Sequence, residues 1–250
     1  MRPRRILLSA ALLAAACKPV FNPAIYTDMN SLYTAAMAQF NGHHYDNAAK
    51  AFERLTTELP ARDPRMPLAF FYLAKSQDKN GERLLAAKSY SRIYEQFPED
   101  TLADDGLLLS GLAYQAMWRR PNLDAQYGQS AQTQYQTLLG LYPDSPLVPV
   151  VNQQLATLDQ WFATKDFDTG THYLKRKAFD SAIIYYKDVI RLHPSAPKTR
   201  EAYLRLHEAY RAINYKDDAR DLCDAMRKTY PADREVTRTC GAPAPAVSSQ

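Results

Sequence analysis

Glycine is scarce in this sequence, at eight of 250 residues. Valine, isoleucine and threonine do not cluster into alternating runs, so nothing in the pattern indicates β-strands. The sequence also contains no glycine-rich phosphate loop, no HExxH zinc motif and no GxSxG nucleophile motif. These absences disfavour all-β and dinucleotide-binding folds and favour an all-α protein that is not an enzyme.

Histidine and cysteine are also few, with five and three residues. His43 and His44 are adjacent, which is a poor ligand spacing on one helical face, and His172, His193 and His207 each stand alone. The carboxylates are scattered over polar helix faces, where solvation is the default. The sequence therefore predicts no catalytic residues, no metal site and no cofactor.

The positive charge is concentrated at the N-terminus. The formal net charge is +4, and Arg2, Arg4 and Arg5 supply three of those four charges. The remainder of the chain is close to neutral, and it gives no electrostatic argument for nucleic-acid binding.

The N-terminus resembles a bacterial lipoprotein signal. A basic start precedes an apolar run over residues 6–16, which is too short to span a bilayer, and small residues directly precede Cys17. We expect residues 1–16 to be a signal peptide and Cys17 to be lipidated as the first mature residue. The alternative is an ordinary secretory signal with an incidental cysteine. Residues 17–30 lack helical periodicity and are expected to form a tether.

Residues 165–197 carry the clearest helical hairpin. Apolar residues recur on one face of each predicted helix, a basic corner separates the helices, and a proline follows the second. Six positions, at offsets 0, 3, 9, 12, 16 and 24, are Gly170, Tyr173, Phe179, Ala182, Tyr186 and Pro194. This spacing is typical of a tetratricopeptide repeat, with the small residue where the helices cross closely. Burial is expected for Tyr173, Ala182 and Tyr186.

The same spacing recurs five times along the chain. The alanines of the second helices are Ala48, Ala86, Ala131, Ala182 and Ala219. The predicted fold is an all-α solenoid of five helical hairpins. An insertion over about residues 119–127 interrupts the third repeat, and a long helix from about residue 145 to Tyr173 leads into the fourth. Repeats one to three span residues 31–143, the long helix and repeats four and five span residues 144–233, and a disordered tail spans residues 234–250.

Two Asn-Gly pairs, at residues 41–42 and 80–81, are a common signal for β-hairpin turns. Each pair lies between two helical stripes. We therefore expect Gly42 and Gly81 to end helices in the left-handed conformation.

The first helices of the repeats suggest a binding surface. In a tetratricopeptide superhelix these helices line the concave side, which binds peptides or folded partners. In the first two repeats this register presents Tyr33, Met37, Phe40, Phe71 and Lys75. Aromatic rings beside a cation suit an extended segment that ends in an aromatic residue or a carboxylate. The alternative is that these side chains, Phe71 especially, pack against neighbouring helices.

Two cysteines follow Cys17 in the sequence. Cys223 is expected to face the core of the last repeat, and Cys240 lies in the predicted tail. In an oxidising compartment a disulfide between them would hold the tail. The alternative is two unpaired thiols, and the sequence leaves both open.

The ordered combination of these features resembles the BamD family, also called YfiO or ComL. Its members are lipoproteins of the machinery that assembles outer-membrane β-barrels. Besides the lipoprotein-like start, five repeats and the insertion, the long helix and fourth repeat match the family at Tyr173, Arg176, Ala182 and Pro194. The resemblance extends over about residues 17–231, and it implies a scaffold without catalysis.

The resemblance also implies a location and partners. Family members are lipid-anchored to the outer membrane and face the periplasm. Their C-terminal repeats bind the last POTRA domain of the barrel subunit, BamA, and their N-terminal repeats are thought to bind the C-terminal strand of unfolded β-barrel proteins. Arg191 matches a family arginine near the BamA contact. The alternative role for Arg191 is to stabilise the C-terminal dipole of its helix.

Two other interpretations stay open. One is a different tetratricopeptide lipoprotein of the envelope, either a pilotin for secretin assembly or a coordinator of peptidoglycan synthesis. The other is a periplasmic hydrolase with a repeat domain, although the sequence offers no candidate nucleophile for it.

Overall fold

The computed structural model describes residues 21–241, and it contains helices but no strand within that range. A short 3₁₀ helix, Pro23–Ile25, comes first. The α-helices that follow are α1 (Met29–Asn41), α2 (Tyr45–Glu58), α3 (Met66–Lys79), α4 (Arg83–Gln96), α5 (Ala103–Gln115), α6 (Gln126–Leu141), α7 (Val148–Lys175), α8 (Phe179–Leu192), α9 (Lys198–Ala212), α10 (Lys216–Thr229) and α11 (Arg234–Cys240). The first ten pair consecutively, which confirms the predicted all-α fold of five tetratricopeptide hairpins.

Four of the hairpins turn at a residue with left-handed backbone geometry, two positions before the second helix. These residues are His43 (φ 60°), Gly81 (φ 83°), Lys177 (φ 60°) and Asn214 (φ 64°). The prediction for Gly81 is confirmed. Gly42 is the C-cap of α1, as predicted, but its predicted left-handed conformation is wrong, because its φ is −79° and its N–H donates to the carbonyl of Ala38. The helical hydrogen-bonding pattern therefore continues through Gly42, and His43 makes the turn.

The chain divides into two compact units, Met1–Gly106 and Leu107–Gln250. The division falls inside α5, whereas the sequence placed a boundary after residue 143. In the described part of the first unit, the small residues at repeat positions are fully buried: Ala36, Ala48, Ala74 and Ala86. Phe52, at the aromatic repeat position of α2, is also fully buried. The core of this unit is therefore built from the repeat positions themselves.

In the second unit, glycines face aromatic rings across the hairpins. A Cβ added at Gly111 of α5 would lie 2.3 Å from Cε1 of Tyr135 in α6. A Cβ added at Gly170 of α7 would lie 2.9 Å from Cε1 of Tyr186 in α8. Ala182 and Tyr186 are fully buried, as expected. The expected burial of Tyr173 is wrong, because it is only half-buried, with its ring stacked on Tyr185 at a centroid distance of 5.5 Å. The prediction that small residues mark the close helix crossings is confirmed.

The predicted insertion in the third repeat is confirmed as the segment between α5 and α6. It carries Trp118, which is 2% exposed. The indole packs over Gly128 at the start of α6 and against Phe162 of α7, with ring centroids 4.8 Å apart. The long helix is confirmed as α7, whose 28 residues continue directly into the fourth hairpin.

Residues 22–28 differ from the predicted tether. Asn22 caps the 3₁₀ helix by accepting a hydrogen bond from the N–H of Ala24. The guanidinium of Arg54 in α2 donates to the carbonyls of Pro23 and Tyr26. This segment is therefore fixed to α2, whereas the expected lipidation site, Cys17, lies outside the described residues.

The predicted disordered tail is wrong for residues 234–240, which form α11. Asp233 caps this helix by accepting hydrogen bonds from the N–H groups of Glu235 and Val236. Val236 is 2% exposed, and it packs with Cys223 and Met226 of α10. The remaining residues of the predicted tail, 242–250, lie outside the described range.

Trp118 lies so close to Gly128 that a larger residue at position 128 should destabilise the fold. We expect Gly128→Ala to lower the free energy of unfolding by about 1–3 kcal/mol, because the new Cβ would lie 2.2 Å from Cε3 of Trp118. Gly140→Ala, in the same helix, is the matched control, because a Cβ there meets nothing within 4 Å. The control should raise stability by roughly 0.5–1 kcal/mol. Urea denaturation followed by circular dichroism measures both, and equal effects at the two positions would contradict the prediction.

Candidate functional site

The structure brings three of the five candidate groove residues together at the C-terminal ends of α1 and α3. The amine of Lys75 lies 5.8 Å from the ring centroid of Phe40 and 5.4 Å from that of Phe71. Both distances fall within the range of a cation–π contact. Lys75 and both rings are half-buried, so the cluster forms part of the surface of the first unit.

The candidate rings also pack against neighbouring helices. Tyr33 meets Phe52 of α2, with ring centroids 6.0 Å apart, and Phe71 meets Tyr90 of α4 at the same distance. Burial raises the pKa of the Tyr33 hydroxyl. Met37 is half-buried on the same helix as Tyr33. Tyr33 and Phe71 therefore pack against neighbouring helices, as the alternative predicted, and both remain half-buried rather than fully covered.

Tyr72 is a member of this cluster that the sequence analysis missed. Its ring lies 5.0 Å from that of Phe40, edge to face, and it stacks on Phe52 at 5.5 Å. Tyr72 thus links the surface cluster to the buried core. Its position three residues before Lys75 was the available signal, because residues one turn apart share a helix face.

Arg65, just before α3, ties the start of α3 to the start of α1. Its guanidinium donates to Oδ1 of Asp63 at 2.9 Å and to Oδ2 at 2.6 Å. Its third nitrogen donates to Oδ1 of Asn30 at 2.5 Å. Hydrogen bonds from the Arg65 side chain, followed by its backbone N–H, lower the pKa of Asp63 from 3.8 to about 2. No local pattern in the sequence indicates this link, which joins residues 35 positions apart.

In the second unit, Arg191 lies exposed in the last turn of α8. Its side chain is 69% exposed, and its guanidinium donates to Oδ1 of Asp188, one turn earlier, at 2.7 Å. An ion pair this exposed contributes little to stability. The site can therefore present a cation to a partner at little cost to the fold.

His193, which looked isolated in the sequence, joins the end of α8 to α7. Its Nδ1 lies 2.6 Å from Oδ1 of Asp159, and its Nε2 lies 3.9 Å from Oδ2 of Asp166. The ring also stacks on Phe162. Burial raises the pKa of Asp166. These contacts hold the corner between two hairpins in place.

The structure joins Cys223 of α10 to Cys240 of α11 by a disulfide, with Cα atoms 5.5 Å apart. The two cysteines and His207 of α9 line a cavity of about 510 Å³. Burial, followed by the charge of Arg211, lowers the pKa of His207. The sequence analysis treated His207 as isolated, and Cys223 lies 16 positions after it.

Arg200 of α9 fixes the start of α11. Its guanidinium donates to both oxygens of Asp233, at 2.5 and 2.9 Å, and to Oε2 of Glu235 at 2.9 Å. Hydrogen bonds from Arg200 are the main reason that the pKa of Asp233 lies far below its usual range. The short helix therefore has an electrostatic attachment in addition to the disulfide.

None of the helices within residues 21–241 combines the length and the apolar character that crossing a membrane requires. This holds even for α7, which has 28 residues.

Comparison with known proteins places these features in a family. Residues 26–224 match the model of the YfiO family, described as an outer membrane lipoprotein. The outer membrane protein assembly factor BamD of Neisseria gonorrhoeae is 22% identical over 223 residues, which cover 84% of this chain and 82% of that protein. The BamD of Xylella fastidiosa strain Temecula1 is 25% identical over 215 residues, covering 80% and 72%.

Among solved structures, the TPR2AB domain of yeast Sti1 in complex with pHSP90 aligns with a TM-score of 0.43 at 14% identity. The alignment covers 85% of this chain and 81% of that one.

The hydrogen bonds from Arg65 predict that Asp63 titrates at a lower pH than an ordinary aspartate. Because its folded-state pKa of about 2 lies below the usual 3.8, the pair stabilises the fold above about pH 4. That stability is lost as the pH falls through about 2. Arg65→Gln should raise the pKa of Asp63 towards 3.8, while Arg62→Gln, at an exposed neighbour, should leave it unchanged. NMR titration of the carboxyl carbon measures this, and a wild-type pKa near 3.8 would refute it.

Proposed function

The chain belongs to the YfiO family of outer membrane lipoproteins, and we propose that it is a non-catalytic scaffold of the machinery that assembles β-barrel proteins in the outer membrane. The observation that carries the proposal is the extent of the family match. It runs from just before α1 into α10 and so takes in all five hairpins. The relatives named above are themselves outer membrane protein assembly factors.

We infer that the chain is held at the periplasmic face of the outer membrane through lipid on Cys17. Pro23, which is fixed to α2 by Arg54, lies six positions after Cys17. A stretch of that length spans at most about 20 Å. The anchor would therefore keep the first hairpin close to the membrane surface.

The aromatic cluster around Lys75 is the proposed site for unfolded β-barrel substrates. Phe40 and Phe71 offer ring faces at the surface, and the amine lies between 5 and 6 Å from both ring centroids. A strand that ends in an aromatic residue with a free carboxylate fits this chemistry, because the side chain contacts the rings and the carboxylate pairs with the amine. Tyr33 and Met37 extend the apolar surface along α1.

The exposed end of α8 is the proposed contact for the barrel subunit BamA, through a POTRA domain. Arg191 presents its charge there, and the neighbouring Leu192 is 49% exposed. An arginine beside exposed apolar surface is a common anchor in protein interfaces. A different envelope role, as a secretin pilotin or a coordinator of peptidoglycan synthesis, is the alternative that the experiments below must exclude.

The substrate site predicts a carboxylate-dependent affinity. Lys75→Gln should weaken binding of a peptide ending in an aromatic residue by on the order of tenfold, because a charge-assisted contact is lost. Lys79→Gln, one turn further along α3 and exposed, should not. Calorimetry with free-acid and C-terminally amidated peptides measures both. Equal affinity of the wild type for the two peptides would contradict the role of Lys75.

The assembly role predicts a defined phenotype. Depleting the protein should lower the amount of β-barrels in the outer membrane, and a wild-type copy should restore it. A copy with Arg191→Glu should bind BamA weakly and fail to restore, although its fold is intact. Lys175→Glu reverses an exposed charge in the last turn of α7 and should restore fully.

Undiminished barrel levels on depletion would remove the assembly proposal. Recovery of a secretin or a peptidoglycan synthase, without a BamA-like barrel, in affinity purification would support the alternative. Full activity of the Arg191→Glu copy would place the BamA contact elsewhere while leaving the scaffold role intact.

A further inference from the structure

Three residues on three helices of the second unit place metal-binding atoms side by side. His207 belongs to α9, Cys223 to α10 and Cys240 to the end of α11. One potential ligand atom from each lies within 4.8 Å of the other two. Two of the three, His207 and Cys223, are buried, and all three line the same cavity of about 510 Å³.

We propose that this cluster binds a thiophilic divalent cation such as Zn²⁺ when the disulfide is reduced. Two thiolates and one imidazole, with a water molecule or small anion in the fourth position, form a recognised zinc ligand set. Tetrahedral zinc with Zn–S bonds of about 2.3 Å places its two sulfurs about 3.8 Å apart. Side-chain rotation can reach that separation, because the two Cα atoms are 5.5 Å apart.

The cysteines remain neighbours without the bond between them. Val236 of α11 packs against Cys223 and Met226, and Arg200 holds Asp233 at the start of α11. The guanidinium of Arg227 donates to the carbonyl oxygen of Cys240 itself. Reduction therefore frees the two thiols at a site whose backbone is fixed by other contacts.

A divalent cation can bind in this cavity although basic side chains line it, because the two thiolates supply the compensating negative charge. Arg211, Lys216, Arg220 and Arg227 line the same cavity. Two thiolates cancel the double charge of Zn²⁺, so the metal-loaded cluster is as neutral as the disulfide. The surrounding cations favour thiolates over thiols, and they attract an anion to the fourth position.

The change from the disulfide state to the metal-bound state conserves atoms and electrons. A small dithiol gives two electrons and two protons to the Cys223–Cys240 bond and becomes a cyclic disulfide, which leaves two protein thiols. Binding of the cation forms two S–metal bonds and one N–metal bond and releases the two thiol protons to solvent. In the reverse direction a small cyclic disulfide takes two electrons from the thiolates and two protons from solvent and becomes a dithiol, which re-forms the Cys223–Cys240 bond and releases the cation.

The test uses the full chain in detergent, reduced with a phosphine that is then removed under argon, and Co²⁺ as the probe. We expect one Co²⁺ per chain, with thiolate charge-transfer bands and the visible bands of tetrahedral cobalt. Zn²⁺ should displace it, since sulfur-rich tetrahedral sites favour zinc. The oxidised chain should show none of these bands.

Variants separate the cluster from incidental thiol binding. Cys240→Ser and His207→Gln should each weaken Co²⁺ binding by at least the roughly 10- to 100-fold typical of changes around a metal site. His172→Gln, an exposed histidine of α7, is the control and should bind like the wild type. His207→Cys should keep a three-ligand site and show a stronger charge-transfer band.

Absence of thiolate bands in the reduced wild type would overturn the proposal, as would wild-type affinity in folded His207→Gln. Circular dichroism checks that each variant is folded. If His207→Gln unfolds, folded His207→Cys decides the question: retained binding supports the site, and lost binding refutes it.

Discussion

The third and fourth hairpins of this protein each depend on a small residue that faces a large ring. Gly111 faces Tyr135 and Gly170 faces Tyr186, so closely that even a methyl group would overlap the ring. In the first unit alanines with no exposed surface take the same positions. Because protein interiors are close-packed, these positions tolerate little change. Lys75, which is half-buried, and Arg191, which is exposed, lie outside these close-packed positions.

The repeats could be predicted because their signal is local. Helical periodicity, a small residue and a terminal proline recur within one hairpin, as in residues 165–197, and no distant information is needed. His43 shows the limit of that approach. The sequence pointed to Gly42 as the left-handed residue, yet Gly42 has a negative φ and His43 is the left-handed residue. Such one-residue shifts depend on the packing of the next helix, which local composition does not encode.

The candidate site was predictable to the extent that it follows from helix register. Phe40, Phe71 and Lys75 come together because the repeat spacing assigns them to one side of α1 and α3. The link from Arg65 to Asn30 joins residues 35 positions apart, and the approach of His207 to the cysteines depends on three helices. Neither has a sequence signature. Contacts between residues that different repeats supply are therefore the part of the site that a single sequence does not reveal.

The two segments that were expected to lack structure flank the repeats. Both are structured in part, and there is a physical reason for this. A stacked repeat buries its faces against its neighbours, so the outermost helices need cover from outside the pattern. Residues 22–28 meet α2 through Arg54, and α11 meets α9 and α10 through Arg200 and the buried Val236. In both cases an arginine of a repeat helix binds a segment with no periodicity of its own. Because one side of such a covering segment faces water, its sequence does not have to follow the repeat pattern, and the repeat spacing alone does not predict it.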